Sequence, residues 1–373
     1  MNMNGVVPGF LSGQGSKPTS QSGFSLVELM VAVTVSLLMM AAILKLFVDV
    51  ARTNTEMEKT NVQIENGRFA IQLIAEDLVH GGFWNGYIPQ FDDLTSTEIP
   101  ADLPGEVPEP CLAYSSWDAA YKTRILGISL QTYDAVPTGC STVVQNKKDG
   151  TDVVVVRHAE NCIPGTSNCD AEDASKVYFQ FSRCSSEPPY AYVLSKSGFT
   201  LKRRSCLATD FAEKRKYVSN IYFVRNDDAL MRAEFTGSGW NVQPIVDGIE
   251  GLVVELGVDS LSDSGAAINY AQAVTWADPL NKVSPINRGD GVPDGNFIRC
   301  TAAAPCGVNE LANVVAARIY LLVRSTEASP DHTDSKTYKL GSIDVGPFND
   351  GFKRHVYTTT VRLNNVAGRR ETP

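Results

Sequence analysis

The sequence has few of the residues that most enzymes and metal sites need. It contains four histidines, His80, His158, His332 and His355, and they are scattered along the chain. It has no His-Glu-x-x-His metal motif, no Gly-x-Ser-x-Gly nucleophile elbow and no phosphate-binding loop. An enzyme would therefore have to assemble its site from distant residues. We expect no catalytic residue and no cofactor.

Basic charge is also scarce. The chain has 33 Lys and Arg against 42 Asp and Glu, which gives a formal net charge of −9. Binding to nucleic acid without sequence specificity depends on a basic footprint, so we expect no nucleic-acid partner. Two short basic clusters, at residues 202–204 and 214–216, are interpreted as solvated surface.

Cysteine is missing from the first 110 residues, and eight cysteines follow. An even number in this position is typical of a compartment that permits disulfides, such as a periplasm or a cell surface. Zinc is the alternative, but the cysteine spacings are wider than in a usual zinc knuckle and no histidine pair accompanies them. We favour disulfides between sequence neighbours. The candidate pairs are Cys162 with Cys169, Cys300 with Cys306, Cys184 with Cys206 and Cys111 with Cys140.

One long apolar run lies near the N-terminus. From Leu29 to Leu44 there are sixteen residues without a charge. As a helix, residues 24–48 would extend about 37 Å at roughly 1.5 Å per residue, and a bilayer core is about 30 Å thick. The run therefore predicts a transmembrane helix over residues 24–48. Glu28 lies near its start, and since a carboxylate is costly in hydrocarbon, we expect it to pair with a positive charge.

The residues Gly23, Phe24 and Glu28 resemble the processing signature of type IV prepilins. The resemblance implies a leader over residues 1–23, cleavage between Gly23 and Phe24 by a prepilin peptidase, and N-methylation of Phe24. Cleavage creates an amine on Phe24, and Glu28 of one subunit can neutralise the amine of a neighbour. Glu28 is then an assembly residue.

Two ordinary interpretations of the N-terminus remain as alternatives. A secretory signal peptide is disfavoured because Lys17 is the only basic residue before the run and no small-residue cleavage site closes it. An uncleaved membrane anchor agrees with Lys45, Arg52 and Lys59 after the run, which by the positive-inside rule would keep the C-terminal part in the cytoplasm. The cysteines favour the opposite orientation.

Residues 49–82 continue a helical pattern beyond the apolar run. Val50, Met57, Ile64, Ile71 and Leu78 recur every seven residues, with Phe69 and Ile74 beside them. We expect an amphipathic helix whose apolar stripe packs on a sheet, ended by the glycine pair at residues 81–82.

The remainder, residues 83–373, is predicted to be a β-rich head. Short β-prone runs occupy residues 152–157, 177–181, 192–194, 199–201, 221–225, 230–235, 252–256, 317–324 and 356–363. Residues 195–198 are predicted to form a hairpin turn, and residues 91–150 a loop-rich insertion. Strands without alternating helices predict an α+β fold with a mostly antiparallel sheet and disulfide-bonded loops.

Several sequence segments resemble the PilW family of minor pilins. They are residues 67–83, the hairpin at 222–232, the stretch 246–259 and the closing strand at 355–363. His80 stands where that family usually has a basic residue. The resemblance implies the type IV pilin fold and a role in initiating pilus assembly at or near the tip. The J-type pseudopilin of type II secretion is a related alternative, as are an adhesin, a DNA-uptake pilin and a membrane-anchored periplasmic enzyme.

The resemblance also implies partners and a location. The partners are other minor pilins, the major pilin, the prepilin peptidase and the inner-membrane assembly platform. The protein would sit in the inner membrane with its head in the periplasm, and on the pilus at the cell surface after assembly.

Two weaker site hypotheses concern acidic loops. Asp259, Asp263, Asp290 and Asp294 could supply oxygen ligands to calcium, although no EF-hand spacing is present. Such residues are also what turns require. Residues 288–290 spell Arg-Gly-Asp, a tripeptide that arises readily by chance.

Overall fold

The computed structural model describes residues 23–167 and 169–371. In this part of the chain, four α-helices and fourteen strands follow in order. The helices are α1 Leu26–His80, α2 Ala119–Gly127, α3 Val308–Leu311 and α4 Asn364–Arg370. The strands are β1 Leu130–Tyr133, β2 Val153–Ala159, β3 Tyr178–Phe181, β4 Tyr192–Ser195, β5 Arg215–Val224, β6 Ala229–Phe235, β7 Trp240–Asp247, β8 Ile249–Val258, β9 Trp276–Asp278, β10 Val283–Pro285, β11 Val314–Arg324, β12 Tyr338–Leu340, β13 Ile343–Val345 and β14 Arg354–Arg362.

The chain forms two compact units. The first ends at Met57 and the second, called the head below, begins at Glu58. Helix α1 contributes its N-terminal part to the first unit and its last turns to the head. It ends at His80, directly before the glycine pair, as the sequence predicts.

The strands of the head pair antiparallel throughout the described residues. A seven-stranded sheet has the order β1-β2-β5-β3-β4, and β6 and β7 continue from β5. A second sheet has the order β14-β11-β8, and β9-β10 and β12-β13 are two-stranded. The predicted α+β class with a mostly antiparallel head is confirmed.

Strand β2 shows why the seven-stranded sheet is buried on both faces. Its valines alternate between two apolar clusters: Val154 and Val156 join the cluster that includes the end of α1, and Val153 and Val155 join a cluster on the opposite side. Successive side chains of a strand point to opposite faces. An unbroken run of valine therefore fits a strand with core on both sides.

The buried face of α1 differs from the predicted stripe. Its buried residues are Gln63, Gly67, Ala70, Ile74 and Leu78. The predicted stripe residues Val50, Met57 and Ile64 are instead exposed, at 50%, 58% and 36%. Of the seven-residue repeat, Leu78 is buried and Ile71 packs partly against the core.

Close packing and hydrogen bonding select this face of α1. A Cβ on Gly67 would lie 2.3 Å from the Tyr357 ring of β14, so the absence of a side chain allows the ring to approach the helix. The Gln63 side chain donates to the carbonyl oxygens of Val323 and Lys353, at 2.7 and 2.9 Å. Neither residue is apolar enough to be found by hydrophobic periodicity.

The insertion at residues 91–150 is more ordered than predicted. It contains α2 and β1, besides short 3-10 turns at Gln90–Asp92 and Tyr114–Ser116. Asp118 caps α2 by accepting a hydrogen bond from the Tyr121 N–H at 2.7 Å. Tyr121 and Ile125 are buried, which anchors the helix on the head.

The predicted hairpin around residues 195–198 is wrong. Strand β4 pairs with β3, and residues 199–201 form no strand. The Leu201 N–H donates instead to the side chain of Gln180, and the Leu201 carbonyl oxygen accepts from the Ala212 N–H. The partner of β4 is β3, which precedes it in the chain, and a turn signal alone does not specify this partner.

A buried arginine joins β14 to the loops beside it. The side chain of Arg354 is 0% exposed and is surrounded by three carboxylates. Its Nε lies 2.5 Å from Glu250 Oε2, and its Nη1 lies 3.0 Å from Asp334 Oδ2 and 2.6 Å from Asp350 Oδ1. Hydrogen bonds from Arg354 lower the pKa of Asp350 to about 2. Since an aspartate in an unfolded chain has a pKa near about 3.9, this carboxylate stabilises the fold above about pH 4 and loses that contribution as the pH falls toward 2.

The lowered pKa of Asp350 predicts how the stability of an Asp350→Asn variant depends on pH. The variant should melt at a lower temperature than the wild type at pH 7, and the gap should close between pH 4 and pH 2. Thermal unfolding of both proteins across this range measures it. A gap that stays constant down to pH 2 would show that the charge of Asp350 does not contribute.

Candidate assembly site

The N-terminal part of α1 is an apolar surface without cover in its own unit. Phe24 is 89% exposed and Leu26 74%, and large apolar residues continue along this part of the helix with similar exposure. Among the described residues, α1 is the one helix that is long and apolar enough to cross a membrane by length and composition. Exposed apolar surface of this length requires lipid or a protein partner.

Glu28 makes a reciprocal cap with Ser25 at the start of α1. The Ser25 N–H donates to Glu28 Oε2 at 2.9 Å, and the Glu28 N–H donates to Ser25 Oγ at 3.2 Å. This is a capping box, in which a serine and a glutamate three residues later satisfy two free N–H groups of the first turn. Both residues are exposed, so the carboxylate keeps room for a further donor.

Gly23 and Phe24 precede this cap in extended or irregular backbone. Both are exposed, and no atom would lie within 4 Å of a Cβ on Gly23. Within the described residues, nothing covers the bond between them. Residues 1–22 of the proposed leader lie outside the described residues.

The structure contains four disulfides, and they join the pairs favoured from the sequence. The bonds are Cys111–Cys140, Cys162–Cys169, Cys184–Cys206 and Cys300–Cys306. Glu160, Cys162 and Cys169 come together as one group of possible metal ligands in the described chain. Because both cysteines are disulfide-bonded, they offer no thiolate to a metal.

The four aspartates of the calcium hypothesis accept hydrogen bonds from other groups of the protein. Asp263 accepts from the Ser284 hydroxyl, and Asp290 from the Val292 N–H. Asp294 accepts from two successive N–H groups at 2.7 Å. Asp259 is fully buried beside Arg370. Within residues 23–167 and 169–371, no three of these carboxylates meet as a ligand group.

The Arg-Gly-Asp tripeptide is structural in this fold. Arg288 is 3% exposed and donates to the carbonyl oxygens of Asn269 and Gln272, at 2.6 and 2.8 Å. The Gly291 N–H, one residue after the tripeptide, donates to Asp259 at 2.9 Å. A buried arginine cannot reach a receptor, which agrees with a chance occurrence of the tripeptide at residues 288–290.

Three of the four histidines have structural surroundings. His158 on β2 places Nε2 2.8 Å from Asp77 of α1 and Nδ1 2.9 Å from the Ala159 carbonyl oxygen. His80 lies beside it, with ring centroids 5.6 Å apart. His355 packs edge-on against Tyr357. The His158–Asp77 contact joins the last turns of α1 to the sheet.

A buried charge cluster was not found from the sequence. Arg370 on α4 donates to Asp92 at 2.7 Å, to Asp259 at 3.0 Å and to the Ala312 carbonyl at 3.1 Å. All three charged side chains are at most 3% exposed. Burial raises the pKa of Asp259, and the charge of Arg370 opposes that shift. The partners are separated by 278 and 111 residues, so no local pattern connects them.

Family comparisons agree with these observations. Residues 221–365 match the family described as Type IV Pilus-assembly protein W, and residues 18–44 match the prokaryotic N-terminal methylation motif. No curated protein sequence matches the chain. A solved structure of a type IV-like pilin from Thermus thermophilus is similar over 81% of this chain and 97% of its own, at 13% identity and a TM-score of 0.32.

The two family matches cover the start of α1 and the C-terminal part of the head. The methylation motif covers Gly23, Phe24 and Glu28 together with most of the apolar run. The second match extends from β5 to the end of β14 and includes the three-stranded sheet that packs on α1. The chain is therefore similar to the PilW family over residues 221–365 and to the prepilin-type methylation motif over residues 18–44.

Proposed function

We propose that the protein is a minor pilin that takes part in initiating type IV pilus assembly, at or near the filament tip. The observation that carries the proposal is the start of α1. There, the exposed residues Gly23 and Phe24 are followed by the Ser25–Glu28 cap and an exposed apolar helix. A peptidase would cut between Gly23 and Phe24, methylate the Phe24 amine and leave α1 as the assembly element.

In this mechanism Glu28 drives insertion through electrostatics. A carboxylate and an amine that are each costly in lipid become mutually neutralising when one subunit's Glu28 meets a neighbour's Phe24 amine. Before assembly, the Ser25 N–H already donates one hydrogen bond to the Glu28 carboxylate. The carboxylate can accept further hydrogen bonds. Retention of Glu28 implies a neighbour above this subunit, so the protein need not be the topmost one.

The size of the head favours a role in which few copies of the protein enter each filament. It spans residues 58–371 of the described chain, and crowding should limit so large a head to a few positions in a filament. Its four disulfides favour an oxidising compartment. We therefore propose that the head faces the periplasm before assembly and the cell surface afterwards. Its partners would be other minor pilins, the major pilin, the prepilin peptidase and the inner-membrane platform.

A type II secretion pseudopilin would use the same N-terminal chemistry. The description of the matched family as a pilus-assembly protein favours the pilus. Neighbouring genes for pilus parts or for a secretion system would decide which machine the protein serves.

Processing is tested by mass spectrometry of the N-terminus. In cells that contain the prepilin peptidase, the mature chain should begin with N-methylated Phe24; in cells without it, the chain should keep residues 1–23. A Gly23→Val variant should remain unprocessed in both strains. An intact leader in the wild-type strain, or cleavage after residue 40, would refute the proposal and favour an anchored or secreted protein.

A further inference from the structure

Most sheet edges of the head are short or covered. Strands β1 and β4 have four residues each, and β7 contains Pro244 opposite a register shift. The outer side of β8 exchanges two backbone hydrogen bonds between Leu256 and Ile298. These are ordinary ways in which proteins prevent strands from pairing with other chains. Within the described residues, the nine-residue strand β14 has no partner on its outer side.

The register identifies which amides of β14 point outward. The Leu363 N–H donates to the Val315 carbonyl, and the Ser325 N–H donates to the Lys353 carbonyl, both at 2.8 Å. Bonded pairs alternate with non-bonded pairs along an antiparallel ladder. The odd-numbered residues of β14 therefore bond to β11. The N–H and carbonyl groups of Val356, Thr358 and Thr360 face away from β11.

The open edge also has the composition of a strand that can accept a partner. Residues 356–361 read Val-Tyr-Thr-Thr-Thr-Val, all of which favour strands. They include no charge, proline or glycine, and the pairing of β14 with β11 shows no bulge. The usual protections of an exposed edge are missing from its centre.

Basic side chains flank this edge. Arg68 of α1 is exposed and follows Gly67, against which the Tyr357 ring packs. Arg318 of β11 donates to the Thr360 hydroxyl at 3.2 Å. In the described part of the chain neither arginine has a carboxylate partner. His355 is also exposed on this strand, whereas Arg362 is already paired with Glu371. The charges favour an acidic partner strand and disfavour a second copy of this edge, which would bring the same arginines.

We propose that the outer edge of β14 binds an extended, acidic segment of a neighbouring filament subunit, which adds to the sheet as a further strand. The outward backbone groups of residues 356, 358 and 360 give the segment its register, and Arg68 and Arg318 bind its carboxylates. The inference rests on the proposed function, because the filament supplies the neighbour.

Hydrogen exchange tests the edge directly. Exchange at single amides is compared between sheared, purified filaments and the detergent-solubilised full chain. The amides of Val356, Thr358 and Thr360 should exchange at least ten-fold more slowly in filaments. The amides of residues 357, 359 and 361 are an internal control, because the β11 ladder protects them in both samples.

Two substitutions at one position separate the backbone from the side chain. Thr358→Pro removes an outward N–H while leaving the β11 ladder intact, and proline is tolerated on such an edge. Thr358→Val keeps the N–H. The proline variant should enter filaments at least ten-fold less than the wild type, and the valine variant should enter normally. Melting temperatures of the solubilised variants establish whether both fold.

The outcomes are distinct. A wild-type chain that never enters filaments would contradict the proposed function. If the chain enters filaments but exchange at residues 356, 358 and 360 is unchanged, the proposed strand addition is overturned and the proposed function is not. This comparison needs no variant. Protection already present in the solubilised chain, together with a dimer mass, would assign the edge to a second copy and would also overturn the inference.

Discussion

Replacing Arg370 by methionine should destabilise the head by about 3–5 kcal/mol, because it leaves the buried carboxylate of Asp259 without its cation and leaves Asp92 with Arg369 alone. Asp92 and Asp259 have side-chain exposures of 3% and 0%. Methionine retains much of the packing volume, so the loss reports mainly on charge. Denaturant unfolding of the solubilised protein, followed by tryptophan fluorescence, measures the difference.

Arg362→Met is the matched control. Arg362 also pairs with a carboxylate, that of Glu371, but the two side chains are 43% and 54% exposed. Exposed ion pairs contribute at most about 1 kcal/mol, so the same substitution should have a small effect there. Equal losses in the two variants would contradict the electrostatic explanation.

The pH dependence of the Arg370→Met deficit gives a second readout. Burial already raises the pKa of Asp259, and removing the nearby cation should raise it further. A raised folded-state pKa of an acid costs stability at high pH and costs none below its unfolded pKa, near about 3.9. The deficit relative to the wild type should therefore shrink as the pH falls from 7 to 4. A deficit independent of pH would indicate lost packing instead.

Glu28→Gln should reduce incorporation into filaments at least ten-fold while leaving the start of α1 intact. Glutamine can make the same capping hydrogen bonds as glutamate at this position, so the helix cap with Ser25 is retained. What is lost is the negative charge that the proposed mechanism pairs with a neighbour's amine. The measurement is the amount of the protein in sheared filaments relative to its amount in membranes.

Ser25→Ala is the complementary variant. It removes the hydroxyl that accepts from the Glu28 N–H and keeps the carboxylate. If Glu28 acts by charge pairing, Ser25→Ala should enter filaments close to the wild-type amount. Should Ser25→Ala fail while Glu28→Gln succeeds, the residue would be a helix cap and the pairing mechanism would be refuted. Processing at Gly23 is checked in both variants by N-terminal mass.

Local features of the fold were accessible from the sequence. The apolar run, the end of α1 at His80 and the main strands follow from short-range periodicity and from residues such as the glycine pair. The favoured cysteine pairs are separated by at most 29 residues, and short separations limit the conformations that must be considered. The family resemblance adds the role of the N-terminal motif to these local patterns.

Packing of α1 on the head could not be read from the same patterns. The buried face is chosen by Gly67, which admits the Tyr357 ring, and by Gln63, which bonds two carbonyl groups. Neither contributes to a hydrophobic stripe. The hairpin predicted at residues 195–198 was wrong for a related reason, because strand β3 supplies the partner that the turn signal could not specify.

By itself, the sequence determined that this protein has an apolar N-terminal helix with one acidic residue near its start, followed by a disulfide-bonded, strand-rich head. Those properties depend on residues close together in the chain. The tertiary structure decided that Arg370 is buried between Asp92 and Asp259 and that the Arg-Gly-Asp segment is structural. It also decided that, among the described residues, no strand pairs with the outer side of β14. These depend on contacts between distant residues, which only the folded chain brings together.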